Sequence, residues 1–162
     1  MPKLLKIAVC AVAACCLASG GAVAQGRPKL APPAGTPMGT AHLNPNTATE
    51  AQLRAVPQLG PVLARQVIAS RPYKTQSAFA KVVAGKVPAA QVAALYAAVF
   101  VPVSLNSGAA EDILLIPGMS RRMVHEFEEY RPYKDLAEFD REIGKYVAPP
   151  ELARLRSYVT LP

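Results

Sequence analysis

The residues able to act as nucleophiles, metal ligands or general acids and bases are few and badly spaced for those tasks. All three cysteines, Cys10, Cys15 and Cys16, fall in the first 24 of 162 residues. The two histidines, His42 and His125, each lack a second His or Cys at ligand spacing, so no metal site is expected. Carboxylate pairs occur only in the last third, on a charged surface with no apolar pocket to shift their pKa values. There is no glycine-rich phosphate loop of the nucleotide-binding type. The pattern predicts no enzyme and no cofactor. What remains is cationic: Lys+Arg 18 against Asp+Glu 11, a net charge of +7. That balance favours a polyanion, either nucleic acid or an anionic membrane surface.

The elements that would carry those charges begin after residue 42. Residues 1–24 read as a secretory signal: Lys3 and Lys6, an apolar run from Ile7 to Ala18, a Ser19-Gly20-Gly21 break, then Ala22-Val23-Ala24 for cleavage. The apolar run is too short to span a bilayer, so the mature chain is expected to carry no transmembrane segment. Val12-Ala13-Ala14-Cys15 also resembles a lipoprotein box, which leaves a lipid-anchored N-terminus at Cys15 open. Cleavage near Ala24 would deliver a cysteine-free protein to the periplasm or the medium, an export that fits an oxidising compartment. Residues 25–42, rich in Pro and Gly, read as a flexible, disordered linker.

The rest is a tandem duplication. Written with an offset of 60 and no gap, residues 43–102 align with 103–162, and 12 of 60 positions are identical. Arg71-Pro72-Tyr73-Lys74 falls on Arg131-Pro132-Tyr133-Lys134, Phe79 on Phe139, Pro57 on Pro117, Asn46 on Asn106 and Leu95 on Leu155. Apolar spacing near 3.6 and the absence of period-2 alternation predict an all-α chain of two four-helix units with no substantial sheet. Thr47-Ala48-Thr49-Glu50 reads as a capping box for the first helix, and Val62, Leu63, Val67 and Ile68 as the apolar stripe of the second. Asp135 and Glu138 read as an acidic start to the third helix of unit 2. A sixty-residue unit has a small core. The apolar run Tyr96–Leu105 leaves no polar linker, so the units should touch.

Leu53–Arg71 (LRAVPQLGPVLARQVIASR) and Ile113–Arg131 (ILLIPGMSRRMVHEFEEYR) resemble the helix–hairpin–helix motif. With Leu43-Asn44-Pro45-Asn46-Thr47-Ala48 before it and Arg-Pro-Tyr-Lys after it, the frame is similar to the ComEA family of exported competence proteins. That resemblance implies sequence-independent binding of double-stranded DNA. Its positions here would be Gln58, Leu59 and Gly60 with Arg65, Arg71 and Lys74, and Gly118, Met119 and Ser120 with Arg121 and Arg122. The physical basis is a turn that aims unsatisfied backbone N–H groups and the positive end of a helix dipole at a phosphate. The motif wants two glycines per turn, and each unit keeps one: Gln58 stands at the first place in unit 1, Ser120 at the second in unit 2. The same fold is similar to PsbU, an exported subunit that works in a protein complex, which makes a protein-interaction or complex-stabilising module the alternative.

Charge is polarised between the units. Unit 1 holds Arg54, Arg65, Arg71, Lys74, Lys81 and Lys86 against Glu50 alone, a net +5. Unit 2 is net −2, with Glu126, Glu128 and Glu129 on the helix that would approach DNA. Repulsion there makes unit 1 the expected binder, with Arg122–Glu126 forming a surface i,i+4 pair.

Overall fold

The computed structural model describes residues 42–161, so the leader and nearly all of the linker lie outside the described residues. The chain is helical, as its periodicity predicts. Unit 1 runs α1 (Glu50–Arg54), α2 (Gly60–Ala69), α3 (Gln76–Val83) and α4 (Ala89–Ala98). Unit 2 runs β1 (Val103–Ser104), α5 (Ala110–Leu114), α6 (Arg121–Glu129), α7 (Leu136–Ile143), α8 (Pro149–Ser157) and β2 (Val159–Thr160). Among the described residues no helix is long and apolar enough to cross a membrane.

The duplication is a physical one. In unit 1 the incoming Leu43 lies parallel to Val99, giving Leu43 N–H to Ala98 O (2.8 Å) and Phe100 N–H to Leu43 O (2.9 Å). In unit 2 the same closure is the β1–β2 pair, with Val103 opposite Val159. The two-residue bridge and the four-residue ladder are the only sheet pairing among the described residues. Each core is built on equivalent side chains: Leu53, Val67, Phe79 and Leu95 in unit 1, and Ile113, Phe127, Phe139 and Leu155 in unit 2, all fully or almost fully buried. A buried side chain of this size contributes about 1.5–3 kcal/mol by leaving water. Tyr73 and Tyr133 plug the two cores edge-on to Phe79 and Phe139, at 5.5 and 5.7 Å between ring centroids. Each phenol satisfies its hydroxyl on a carbonyl of the preceding helix, Val67 O (2.7 Å) or Phe127 O (3.1 Å).

The repeated Asn and Arg explain why Arg-Pro-Tyr-Lys recurs. Asn46 brackets Tyr73 by accepting from its N–H (2.7 Å) and donating to its carbonyl (2.9 Å), and Asn106 treats Tyr133 alike. Arg71 donates from Nε to Pro45 O and from Nη2 to Ala48 O, both at 2.5 Å. Arg131 repeats the fork on Leu105 O (2.6 Å) and Gly108 O (2.7 Å). The peptide bond after each arginine is cis.

Three local expectations need correction. The capping box sits two residues later than Thr47: Thr49 is the N-cap of α1 and Gln52 its reciprocal partner. Thr47 is held instead in a turn closed on Asn44 O, which pulls Ala48 into the core. Val62 does not join the α2 stripe; it is 75% exposed, and Ala64 takes the inward place. His42 is not linker. Its ring stacks on Tyr158 at 4.3 Å and meets Phe100 edge-on at 5.8 Å, because the Leu43–Val99 pairing delivers it between the two units. The Asp135 expectation holds, with its carboxylate accepting the Glu138 N–H at 2.7 Å.

The units are joined by residues the repeat does not share. Gln76, fully buried, fixes the exit of unit 1 by accepting the Val101 N–H at 2.9 Å. Asp112, also buried, accepts from Ser77 N–H (2.7 Å) and Ser77 Oγ (2.6 Å). Their aligned counterparts are Leu136, half-buried, and Gln52, exposed on α1. The covered run Val99–Leu105 completes the joint and bears out the expected contact between units.

His42 makes that joint sensitive to acid. Burial lowers its pKa from 6.5 to about 4, and Nδ1 is buried without a hydrogen-bond partner. The unfolded chain takes up the proton at higher pH than the folded chain. The contribution is therefore complete above pH 6.5 and disappears as the pH falls towards 4. Discounting for the ring's partial exposure, the loss is about 1–2 kcal/mol. Urea midpoints at pH 7 and pH 4.5 should fall further for the native chain than for His42→Phe, which keeps the stack without the charge. Equal falls would show that His42 titrates freely.

Candidate functional site

The two hairpin turns occupy equivalent places but differ in backbone. In unit 1 the positive φ falls on Gly60 (57°), the first residue of α2. In unit 2 it falls on Gly118 (78°), two residues before the N-cap Ser120 of α6. Each unit has kept its glycine at the place where its own turn enters the left-handed region, where a Cβ is costly.

The difference decides which helix end is open. Ser120 is the N-cap of α6, and its Oγ accepts the Met123 N–H at 3.2 Å. α2 has Leu59 at the N-cap and no side-chain cap, and Pro61 brings no N–H to its first turn. First-turn amides have no partner inside their own helix. The unit 1 turn therefore leaves its helix end for water or an anion, while unit 2 occupies part of its own.

The side chains expected at the site divide into those brought together and those that are not. Gln58 is half-buried beside Gly60, and Arg65 stands exposed on α2, its Nε 3.3 Å from Pro61 O. Leu59 is buried, and its N–H is spent on Val56 O (3.0 Å). Met119 repeats this on Ile116 O (2.9 Å) and is half-buried. Arg71 sits at the far end of α2, committed to its two carbonyls. Lys74 is exposed on a cleft of about 200 Å³ between the units, shared with Asp112, Ser104 and Ser107. Arg121 is exposed at the start of α6, and Arg122 stands 3.9 Å from Glu126.

Arg54 belongs with the first group and was missed. It and Arg65 share Glu50 at 4.0 and 3.9 Å, long exposed contacts that hold neither cation firmly. The signal was available: Arg54 is a cation in the last turn of α1, the helix leading into the hairpin.

Pairing sharpens the charge contrast. Lys74, Lys81 and Lys86 form no ion pair among the described residues. In unit 2, by contrast, Arg122, Arg131, Arg141, Lys145, Arg154 and Arg156 each meet a carboxylate. Nor are all the acids of unit 2 on an open surface: Asp112, Glu126 and Glu151 are buried. Hydrogen bonding to Tyr130 and Glu126 pushes the Tyr146 hydroxyl above its ordinary range. No protein-family model, curated protein or solved structure matches the chain.

Proposed function

We propose that this is an exported helix–hairpin–helix protein that binds double-stranded DNA without sequence preference, chiefly through unit 1, in a role such as DNA uptake. One observation carries the reading. Unit 1 combines an uncapped helix N-terminus at Gly60 with exposed cations at Arg54, Arg65, Lys81 and Lys86, against the single carboxylate Glu50. Backbone amides and flexible cations contact phosphates rather than base edges, so affinity should depend on salt and not on sequence. A compartment outside the cytoplasm goes with the leader-like residues 1–24.

Fluorescence anisotropy with two unrelated labelled duplexes tests this. The two should bind alike, with log K falling against log salt by about 0.9 per phosphate contacted. Arg54→Ala with Arg65→Ala should flatten that slope by up to about 1.8, whereas Arg121→Ala with Arg122→Ala should change it little. Absence of binding at low salt would sink the DNA reading. Equal losses from both pairs would sink the assignment to unit 1. The protein-interaction alternative draws on a different feature, an apolar groove in unit 2.

A further inference from the structure

The described residues expose two large apolar side chains, Val62 at 75% and Leu114 at 40%. A lone exposed valine carries nothing. What gives these two weight is where the repeat diverges. In its first two helices unit 1 carries Glu50 and Arg54, a charged pair at 4.0 Å, and the fully buried Ala64. The aligned residues of unit 2 are Ala110, Leu114 and Val124. They line an open groove of about 320 Å³ with Glu111 and Arg121 at its rim. Where unit 1 has a charged pair, unit 2 has an open apolar groove.

We propose that copies of this chain associate head to tail, the Val62 knob of one copy seating in the Ala110–Leu114–Val124 groove of the next. An isopropyl group fits that volume. The rims are complementary: Arg65 and Glu50 stand near Val62, while Glu111 and Arg121 flank the groove, and neither rim residue has an ion pair among the described residues. The net charges, +5 on residues 43–102 and −2 on residues 103–162, favour head-to-tail approach and oppose contact between two first units. Knob and groove are different surfaces of one molecule, so the contact is heterologous and does not close on itself unless the rotation makes a ring. One knob and two rim pairs make a small interface, with a dissociation constant on the order of 0.1–1 mM. Because Val62 lies in the open hairpin, duplex DNA bound there would displace the neighbouring copy.

Sedimentation velocity of the full chain without DNA, from about 10 µM to 1 mM, tests the proposal. The weight-average mass should climb with concentration past the dimer and fall back with added salt. Val62→Asp and Leu114→Asp should each be monomeric. Mixed in equal amounts they should pair one to one, because the first keeps an intact groove and the second an intact knob. Urea midpoints and far-UV circular dichroism check that both variants fold. Glu111→Lys, a surface change, should also abolish association, and adding Arg65→Glu to it should restore part of the association. A native chain that stays monomeric, a plateau at a symmetric dimer, or a mixture that does not pair would each overturn the proposal. All these readings are taken without DNA, so they stand or fall separately from the DNA reading.

Discussion

Replacing Glu151 by alanine is expected to destabilise the protein by about 3–5 kcal/mol. Glu151 and Arg154 form a two-pronged pair inside the protein, Nε to Oε2 at 2.7 Å and Nη2 to Oε1 at 2.6 Å. Their side chains are 7% and 3% exposed, which makes the loss of one partner costly: the other charge stays buried with nothing to offset its desolvation. Burial works against the charged guanidinium, yet the bonds to Glu151 outweigh it and hold the Arg154 pKa above its usual range. No second carboxylate pairs with Arg154 among the described residues. The damage should spread, because Arg154 lies 5.5 Å over the Tyr158 ring on which His42 stacks. Urea denaturation followed by circular dichroism measures the loss. Glu151→Leu with Arg154→Met should recover most of it, since an apolar pair removes both desolvation terms. A loss below about 1 kcal/mol for Glu151→Ala would mean that water reaches the pair.

The second large effect is Arg71→Ala, expected to cost about 2–4 kcal/mol for two charge-assisted hydrogen bonds to partly buried carbonyls. Lysine should not rescue it, because a single ammonium cannot reproduce the planar fork that reaches Pro45 O and Ala48 O together. Arg65→Ala, by contrast, should change stability by less than about 0.5 kcal/mol, as an exposed cation with one loose partner does. The two arginines belong to the same proposed surface by sequence and separate by this measurement. A stability change below about 0.5 kcal/mol for Arg71→Ala would show that the fork is not holding the turn. It follows that weaker DNA binding by Arg71→Ala would report a disturbed unit 1, while weaker binding by Arg65→Ala would report a lost contact.

Much of the architecture was legible in the residues because it rests on local chemistry. The offset of 60, the apolar spacing and the acidic start of α7 are short-range patterns, and each reappears in the folded chain. The misplaced features depend on which residues a distant segment covers. Thr47 and Thr49 are equally good caps in the sequence. The choice between them is made by the turn on Asn44 O and by Asn46, which is held 27 residues away on Tyr73. Val62 has the right spacing for a core stripe, but helical phase is set by the neighbour a helix packs on, and α2 turns Ala64 inward.

The hairpins show the same division. One glycine per turn is plain in the sequence, but whether it sits at the left-handed position is a property of the folded backbone. The answer differs between Gly60 and Gly118, and so leaves one helix end open and the other capped by Ser120. Net charge was read correctly as polarised. Counting could not show that most cations of unit 2 are neutralised by near neighbours, while Lys74, Lys81 and Lys86 of unit 1 stand without ion pairs among the described residues. What composition and periodicity could establish was a duplicated helical chain with an unequal share of charge. Which cations are paired was decided by the side-chain geometry of near neighbours, and which arginine is a structural clasp by contacts 23 and 26 residues apart. A side chain's role follows from what excludes water around it, and that is a property of the packed chain.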